Sequence, residues 1–245
     1  MLELYYWPTP NGRKVTILLE ELGVPYTIKP TNIGRGDQFD ANFLRFSPNN
    51  RMPALVDTTP KGGNAPIRIF ESGAIMMYVA ETQGQFFPQD LPKKYDIVQW
   101  VMWQMGNQGP KFGEQGHFFR AAQAAENGDL AYAVRRFGDE VHRLYGVMNL
   151  GLHNKDWLAA GEYTIADMIC YPWAAGHKLR KIDIDEFPNV KRWIERVAAR
   201  PAVKKAMEAT LEGYTDPYTA SPEEQARRAK LLMNQRATKV PESWG

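Results

Sequence analysis

Residues 47–73 hold the side chains best placed to do chemistry. They read Ser-Pro-Asn-Asn-Arg-Met-Pro-Ala-Leu-Val-Asp, a Gly/Pro-rich turn, then Ile-Arg-Ile-Phe-Glu-Ser-Gly. Residues 54–56 and 67–70 are short apolar runs bounded by turn signals, which predicts a β-hairpin. Pro53 has no N–H to give a strand ladder, so it belongs at a strand start or edge. The Met52-Pro53 bond is also of the one kind that adopts cis at modest cost. A cis bond there would turn the Met52 N–H and C=O outward, where an extended peptide can pair with them. Glu71-Ser72-Gly73 then opens a helical pattern, with Ser72 as its N-cap. A helix N-terminus offers N–H groups and a partial positive charge to a carboxylate, and Glu71 beside it offers a carboxylate to an ammonium group. One corner thus matches both ends of an amino-acid zwitterion, next to an edge that can pair with a peptide. The ligand implied is a short peptide with a free α-amino acid head. The same residues also read as a hairpin, a helix cap and a surface acid.

The elements that must position this corner follow from periodicity. Residues 2–7 are a β-rich run ended by Pro8-Thr9-Pro10-Asn11-Gly12. Val15, Leu18, Leu19 and Leu22 form one face of a helix over 13–22, which Gly23-Val24-Pro25 stops. Residues 26–29 are a second strand, so the opening is a βαβ unit with parallel pairing. A weaker helix over 38–46, the hairpin and a helix over 72–83 complete the order β-α-β-α-β-β-α, the thioredoxin-like plan. Strand signals end there. Pro88 and Pro92 mark a linker, and the remainder reads as helical. Residues 95–119 form a helix that Gly106, Gly109-Pro110 and Gly113 should kink. Residues 129–153 carry the cleanest apolar stripe, Leu130, Val134, Phe137, Val141, Leu144 and Met148. Thr164-Ile165-Ala166-Asp167 has the form of a capping box with Asp as the acid, and its helix should run to about residue 179. Another helix spans 188–199, and a polar helical stretch spans 222–236. The expected domains are a thioredoxin-like domain over 1–87, a linker over 88–94, an all-helical domain over 95–210 and a tail over 211–245.

Composition narrows the classes of function. At 245 residues, net charge +2 and 24% charged residues, with both signs interspersed, nothing points to nucleic acid or an anionic membrane surface. No apolar run approaches the roughly 18 residues of a membrane span, and the chain enters a strand pattern at once, without a signal peptide. Cys170 is the single cysteine, so no internal disulfide forms and a cysteine-rich metal site is excluded. His117, His142, His153 and His177 have no metal-ligand spacing, and no metal is expected. A cytoplasmic protein is the natural reading.

These separated motifs, in this order, resemble the cytosolic glutathione transferases. The βα turn at 8–12, Arg51-Met52-Pro53 and Glu71-Ser72-Gly73 resemble the family's glutathione-binding domain, and Thr164-Ile165-Ala166-Asp167 resembles the capping motif of its helical domain. Within the family the chain looks most like the Nu class, related to a yeast nitrogen regulator. That likeness rests on Tyr-Trp-Pro-Thr-Pro-Asn-Gly at 6–12, Gly-Asp-Gln-Phe at 36–39 and Arg-Phe-Gly-Asp-Glu-Val-His-Arg-Leu-Tyr at 136–145. It covers about residues 2–205. The resemblance implies glutathione as cosubstrate, with Glu71 and Ser72 on the γ-glutamyl head. It implies Met52 pairing with the cysteinyl residue through its backbone, a cis Pro53, and Gln38 and Arg51 along the tripeptide. Thr9 and Asn11 would face the sulfur, and Arg136 would reach towards a second thiol. Phe137 and Tyr171 depart from the expected tyrosine and tryptophan, on the presumed second-substrate side. A homodimer is implied as well.

The thiolate, not the thiol, is the nucleophile, and a free thiol has a pKa near 8.5, so some group must stabilise the anion. Thr9 and Asn11 can each donate a hydrogen bond to a sulfur, and the following helix adds its field. Read without the family likeness, both are turn residues of a Pro/Gly-rich loop. The activity implied is disulfide-bond reduction by glutathione. A variant is the removal of glutathione from aromatic ethers or thioethers, with Phe112, Phe118, Phe119, Tyr171 and Tyr214 as an aromatic acceptor pocket. An alternative of another class is a non-catalytic glutathione-binding regulator. Tyr5 and Tyr6 read as packing residues on opposite strand faces, and Cys170 as inert core. Trp100, Trp103, Trp173 and Trp193 read as core, while Tyr214 and Tyr218 read as either an acceptor cap or a plain tail.

Overall fold

The computed structural model describes residues 1–63, 65–123, 128–215 and 220–233. They fall into two compact units. One contains Met1–Gly12, Val24–Ile75 and the described residues from Ala209 onward; the other contains Arg13–Gly23 and Met76–Glu208.

The first unit is organised on a sheet. Strands β1 (Leu2–Tyr6), β2 (Tyr26–Pro30), β3 (Ala54–Asp57) and β4 (Ile67–Phe70) lie in the order β2-β1-β3-β4. β1 pairs with β2 in parallel, Leu2 opposite Tyr26, and with β3 antiparallel, Tyr5 opposite Ala54. β3 pairs with β4 antiparallel, Ala54 opposite Phe70. This is the thioredoxin-like arrangement. It brings the last residues of β1, β2 and β4 and the first residue of β3 to one end of the sheet. Alternation holds on β1, where Leu2, Leu4 and Tyr6 are buried and Tyr5 packs outward against Phe43 and Phe46.

Several helical boundaries differ from expectation, two of them in this unit. Helix α1 is Pro10–Leu22, three residues longer at its start than periodicity implies. Pro10 lacks only an N–H that a first turn leaves unpaired, and its fixed φ suits that position. Thr9 is the cap: its Oγ1 accepts from Gly12 N–H at 3.2 Å. The weak helix expected over 38–46 is a short 3₁₀ turn, Asp37–Phe39, followed by α2, Ala41–Leu44. Asp40 divides them by capping α2, accepting from Asn42 and Phe43 N–H. Helix α3 spans Ser72–Gln83.

Gly12 is fixed by close approach rather than by conformation. A Cβ there would overlap the Trp7 carbonyl and come within 2.8 Å of the Tyr6 ring. Gly12→Ala is therefore expected to destabilise the fold by about 2–3 kcal/mol, read as a lower urea midpoint, because a backbone oxygen cannot rotate away as a side chain can.

The second unit is helical: α4 (Leu91–Trp103), a π-helical turn (Gln104–Gln108), α5 (Gly109–Ala121), α6 (Ala131–Gly151), α7 (Ile165–Ala174), α8 (Pro188–Ala198) and α9 (Pro201–Glu208). Asp90 caps α4, with Pro92 in its first turn. The expected kink near Gly106 is the π turn. The α7 helix stops at Ala174, five residues short of expectation, and a 3₁₀ turn, His177–Arg180, follows. Pro172 removes one ladder donor from its last turn. The C-terminal part of α1 belongs to this unit: Arg200 holds Glu21 through two hydrogen bonds at 2.6 and 2.8 Å, and Lys205 pairs with Glu20 at 2.7 Å. Its core includes Val141, Leu144, Tyr145, Met148, Ile165, Ile169 and Trp193. Of the four tryptophans expected in the core, only Trp193 is buried; Trp100, Trp103 and Trp173 are half-buried. Trp100 lies against Gly151, where a Cβ would be 2.5 Å from its ring.

Candidate functional site

The end of the sheet described above gathers most of the residues singled out from the sequence. Thr9 follows β1, Met52 and Pro53 precede β3, and Glu71 and Ser72 follow β4. The β2 end joins the same place, since Thr31 N–H donates to Tyr6 C=O at 2.9 Å. The segment after it leads to Gln38.

Met52-Pro53 is cis. Met52 is buried at 7% exposure, yet neither its N–H nor its C=O has a hydrogen-bond partner among the described residues. Main-chain groups left unpaired beside a strand are open to pairing by an extended chain. Arg51 next to it has an exposed side chain, and its carbonyl accepts from Ser47 Oγ at 2.8 Å.

Thr9 Oγ1 lies 3.4 Å from Met52 Sδ. The Gly12 N–H can only donate to that oxygen, so the Thr9 proton is left to point at the Met52 sulfur. The hydroxyl is thus aimed at a soft acceptor. Asn11 occupies the second position of α1. Both residues therefore belong to a helix N-terminus rather than to a loop ahead of it, which puts them inside the positive end of the α1 dipole.

At the hairpin's far side, α3 starts with Ser72 itself, and Glu71 is the capping residue. Its C=O accepts the first helical N–H, from Ile75, at 3.0 Å. Ser72 is thus one position inside the helix, not its cap. Glu71 has φ of +72°, a left-handed conformation that costs a non-glycine residue about 1–3 kcal/mol. It sets the Glu71 side chain beside Asn49, whose Nδ2 donates to Oε1 at 3.2 Å. Ser72 is buried in the first turn.

Gln38 is 4% exposed and its Oε1 has no partner among the described residues. A buried amide oxygen left unpaired costs on the order of 1–3 kcal/mol, which a ligand donor would recover.

Arg136 lies on α6 in the helical unit, exposed, with Glu140 Oε2 at 3.6 Å. Phe137 beside it stacks on Phe118, with ring centroids 5.2 Å apart. Two residues expected to line an aromatic acceptor pocket lie in the core instead. Phe112 is fully buried and stacked on Tyr145, and Tyr171 is buried against Trp193. Their helical spacing looks the same for a lining residue and a core residue, so the sequence alone does not separate the two. Tyr214 meets Trp7 edge-on within the first unit, at 6.1 Å; Tyr218 lies outside the described residues. Cys170 is fully buried, and burial pushes its thiol well above the usual range, so it is core and not a nucleophile. Among the described residues no group of three or more His, Cys, Asp or Glu could hold a metal ion, and no helix is long and apolar enough to cross a membrane.

Residues 1–81 match the model of the glutathione S-transferase N-terminal domain, and residues 131–201 that of its C-terminal domain. The chain is 42% identical over 207 residues to the disulfide-bond oxidoreductase YfcG of Escherichia coli, covering 84% of this chain and 94% of that one. Two solved glutathione transferases superpose closely. One, from Pseudomonas fluorescens, has two glutathione bound; TM-score is 0.77 at 39% identity, covering 84% of this chain and 92% of that one. Another, from Pseudomonas putida, has one glutathione disulfide bound per subunit; TM-score is 0.75 at 38% identity, covering 84% and 90%. With a thioredoxin-like sheet unit, a helical unit and relatives matched over most of both lengths, the chain belongs to the glutathione S-transferase family.

Proposed function

We propose that this protein is a glutathione-dependent disulfide-bond reductase. The observation that carries the reading is the buried Met52 with both main-chain groups unpaired, beside a hydroxyl already directed at a sulfur. In this reading the cysteinyl residue of glutathione pairs with the Met52 main chain. Glu71 takes the ammonium group of the γ-glutamyl head, and Ser72 with the α3 N-terminus takes its carboxylate. Gln38 and Arg51 lie along the tripeptide. Thr9 and Asn11 donate to the sulfur and hold it ionised. Arg136 serves a second thiol.

The reaction is two thiolate exchanges. A glutathione thiolate attacks one sulfur of the substrate disulfide, forming a mixed disulfide and releasing one substrate thiolate. A second glutathione thiolate attacks the glutathione sulfur of that mixed disulfide, giving glutathione disulfide and the second substrate thiolate. The two protons lost by the glutathiones end on the two substrate thiols. The protein contributes no sulfur of its own, because its one thiol is buried. The pair of ligand states seen in relatives, two glutathiones in one and glutathione disulfide in the other, matches the start and end of such a cycle. Reduced glutathione is the working thiol of the cytoplasm, where this chemistry belongs. A homodimer is the assembly proposed; Ile67 and Phe70 are exposed on the edge strand β4, and sedimentation equilibrium reads the mass directly.

The deciding experiment is turnover of 2-hydroxyethyl disulfide with glutathione, alongside calorimetric glutathione binding. Micromolar to millimolar binding with turnover is expected, and Glu71→Gln should raise KM for glutathione about tenfold by weakening the contact to its ammonium group. Binding without turnover would instead make this a glutathione-sensing protein, and an absence of binding would remove the reading altogether.

A further inference from the structure

Helix α10, Pro222–Met233, comes from the end of the chain but packs on the segment after β2. Arg227 Nη1 donates to the Gly34 carbonyl. Glu224 fixes that guanidinium, accepting from Nε at 3.0 Å and from Nη2 at 2.8 Å. Arg228 Nε also donates to Glu224 at 2.8 Å, and its Nη2 donates to the Thr215 carbonyl at 3.1 Å. A Cβ on Gly34 would lie 3.3 Å from Arg228 Nε, and one on Gly36 would lie 3.8 Å from Leu231. The chain entering α10 makes a second set of contacts: Gly213 approaches Arg35 and Asn32, and Tyr214 meets Trp7 edge-on.

The segment it covers is a tight knot. Asn32 N–H donates to Asp37 at 2.8 Å, Gly34 N–H donates to Asn32 Oδ1 at 2.9 Å, and the Arg35 and Asp37 N–H groups both donate to Asn32 C=O. The next residue is Gln38, buried with an unpaired oxygen. Trp7, under Tyr214, accepts from Thr9 N–H at 2.7 Å. The tail therefore touches two of the segments that carry or adjoin proposed ligand residues, and touches neither Gln38 nor Thr9 by any hydrogen bond described.

We propose that residues 209–215 and helix α10 form a strap that fixes the shape of the 32–38 segment, and that Arg227 is a positioning residue for glutathione acting through Gln38. This rests on the reading of Gln38 as a glutathione contact. The strap sets affinity rather than chemistry, because it holds a proposed binding segment and supplies none of the residues proposed to donate to the sulfur. Arg227 and Gly34 are 193 residues apart in sequence, so one hydrogen bond ties the chain's end to its ligand loop.

The test uses the full-length protein with Arg227→Ala, Arg227→Lys, Gln38→Ala and the Gln38→Ala/Arg227→Ala pair. Glutathione Kd is read by calorimetry, and kcat and KM by 2-hydroxyethyl disulfide turnover. Arg227→Ala is expected to raise Kd and KM about tenfold with kcat within twofold. Arg227→Lys, which still donates to the Gly34 carbonyl, should recover part of that loss. The double variant should bind no more weakly than Gln38→Ala, since both act on one contact. If Gln38→Ala weakens binding while Arg227→Ala does not, the strap is wrong and the site stands. If Gln38→Ala leaves binding unchanged, the role given to Gln38 falls and the strap with it. Fully additive losses, or a loss of kcat alone, would also overturn the proposal.

Discussion

Thr9→Val is expected to cut kcat/KM for disulfide reduction on the order of 100-fold, the size of effect seen when one donor to a developing or resident anion is removed. The isosteric methyl keeps the volume and deletes the proton that now points at Met52 Sδ. The bound thiol should ionise less readily, so the rising limb of the pH–rate profile should move about one unit up, towards the free-thiol value near 8.5. Thr9→Ser keeps the hydroxyl and should stay within a few-fold of wild type. The valine variant also loses the acceptor for Gly12 N–H, worth about 1 kcal/mol of helix capping. Its activity should therefore be compared well below its unfolding temperature. An unshifted pH profile in the valine variant would assign anion stabilisation to Asn11 or to the helix dipole and take it from Thr9.

Asp167→Ala is expected to lower folding stability by about 3–5 kcal/mol, since it leaves several buried donors unpaired at once. The Asp167 carboxylate, fully buried, accepts from Leu158 N–H at 3.0 Å, Thr164 N–H at 3.1 Å and Trp193 Nε1–H at 2.8 Å. With Thr164 Oγ1 accepting from Ala166 N–H, it also completes the cap of α7. Burial raises its pKa from 3.8 to about 6, against the opposing pull of those donors. The folded-state pKa lies above the unfolded value, so the proton favours the fold. That contribution is complete below about pH 4 and is lost as pH rises through about 6, an amount on the order of 3 kcal/mol. Asp167→Asn does not titrate. The stability gap between wild type and Asp167→Asn should thus narrow between pH 4 and pH 7 in urea denaturation, and a gap that widened would reverse the sign assigned here.

The thioredoxin-like order of the sheet unit was legible because its strands are short apolar runs between Pro and Gly signals, and β4 and α3 fall where those signals put them. Helix α6 was legible for a different reason: six apolar residues at helical spacing leave no other economical burial. The start of α1 was hidden, because Pro-Asn-Gly has turn composition whether it lies before a helix or in its first turn; only the Thr9–Gly12 bond decides. The left-handed Glu71 was equally silent, since glutamate gives no local signal for positive φ. Helical spacing marks a face but not what covers it, which is why Phe112 and Tyr171 could pass for pocket walls and Trp100 for core. The meeting of Arg227 with Gly34 depends on two stretches far apart in sequence, with no local pattern to announce it.

The interment of Cys170 among apolar side chains of α7 has a practical corollary. Alkylating and arylating reagents should leave the folded polypeptide unmodified, so any sulfhydryl they titrate in a sample of native protein with its cosubstrate belongs to the cosubstrate. By the same token, oxidised thiols have no handle by which to cap the folded chain with a mixed disulfide.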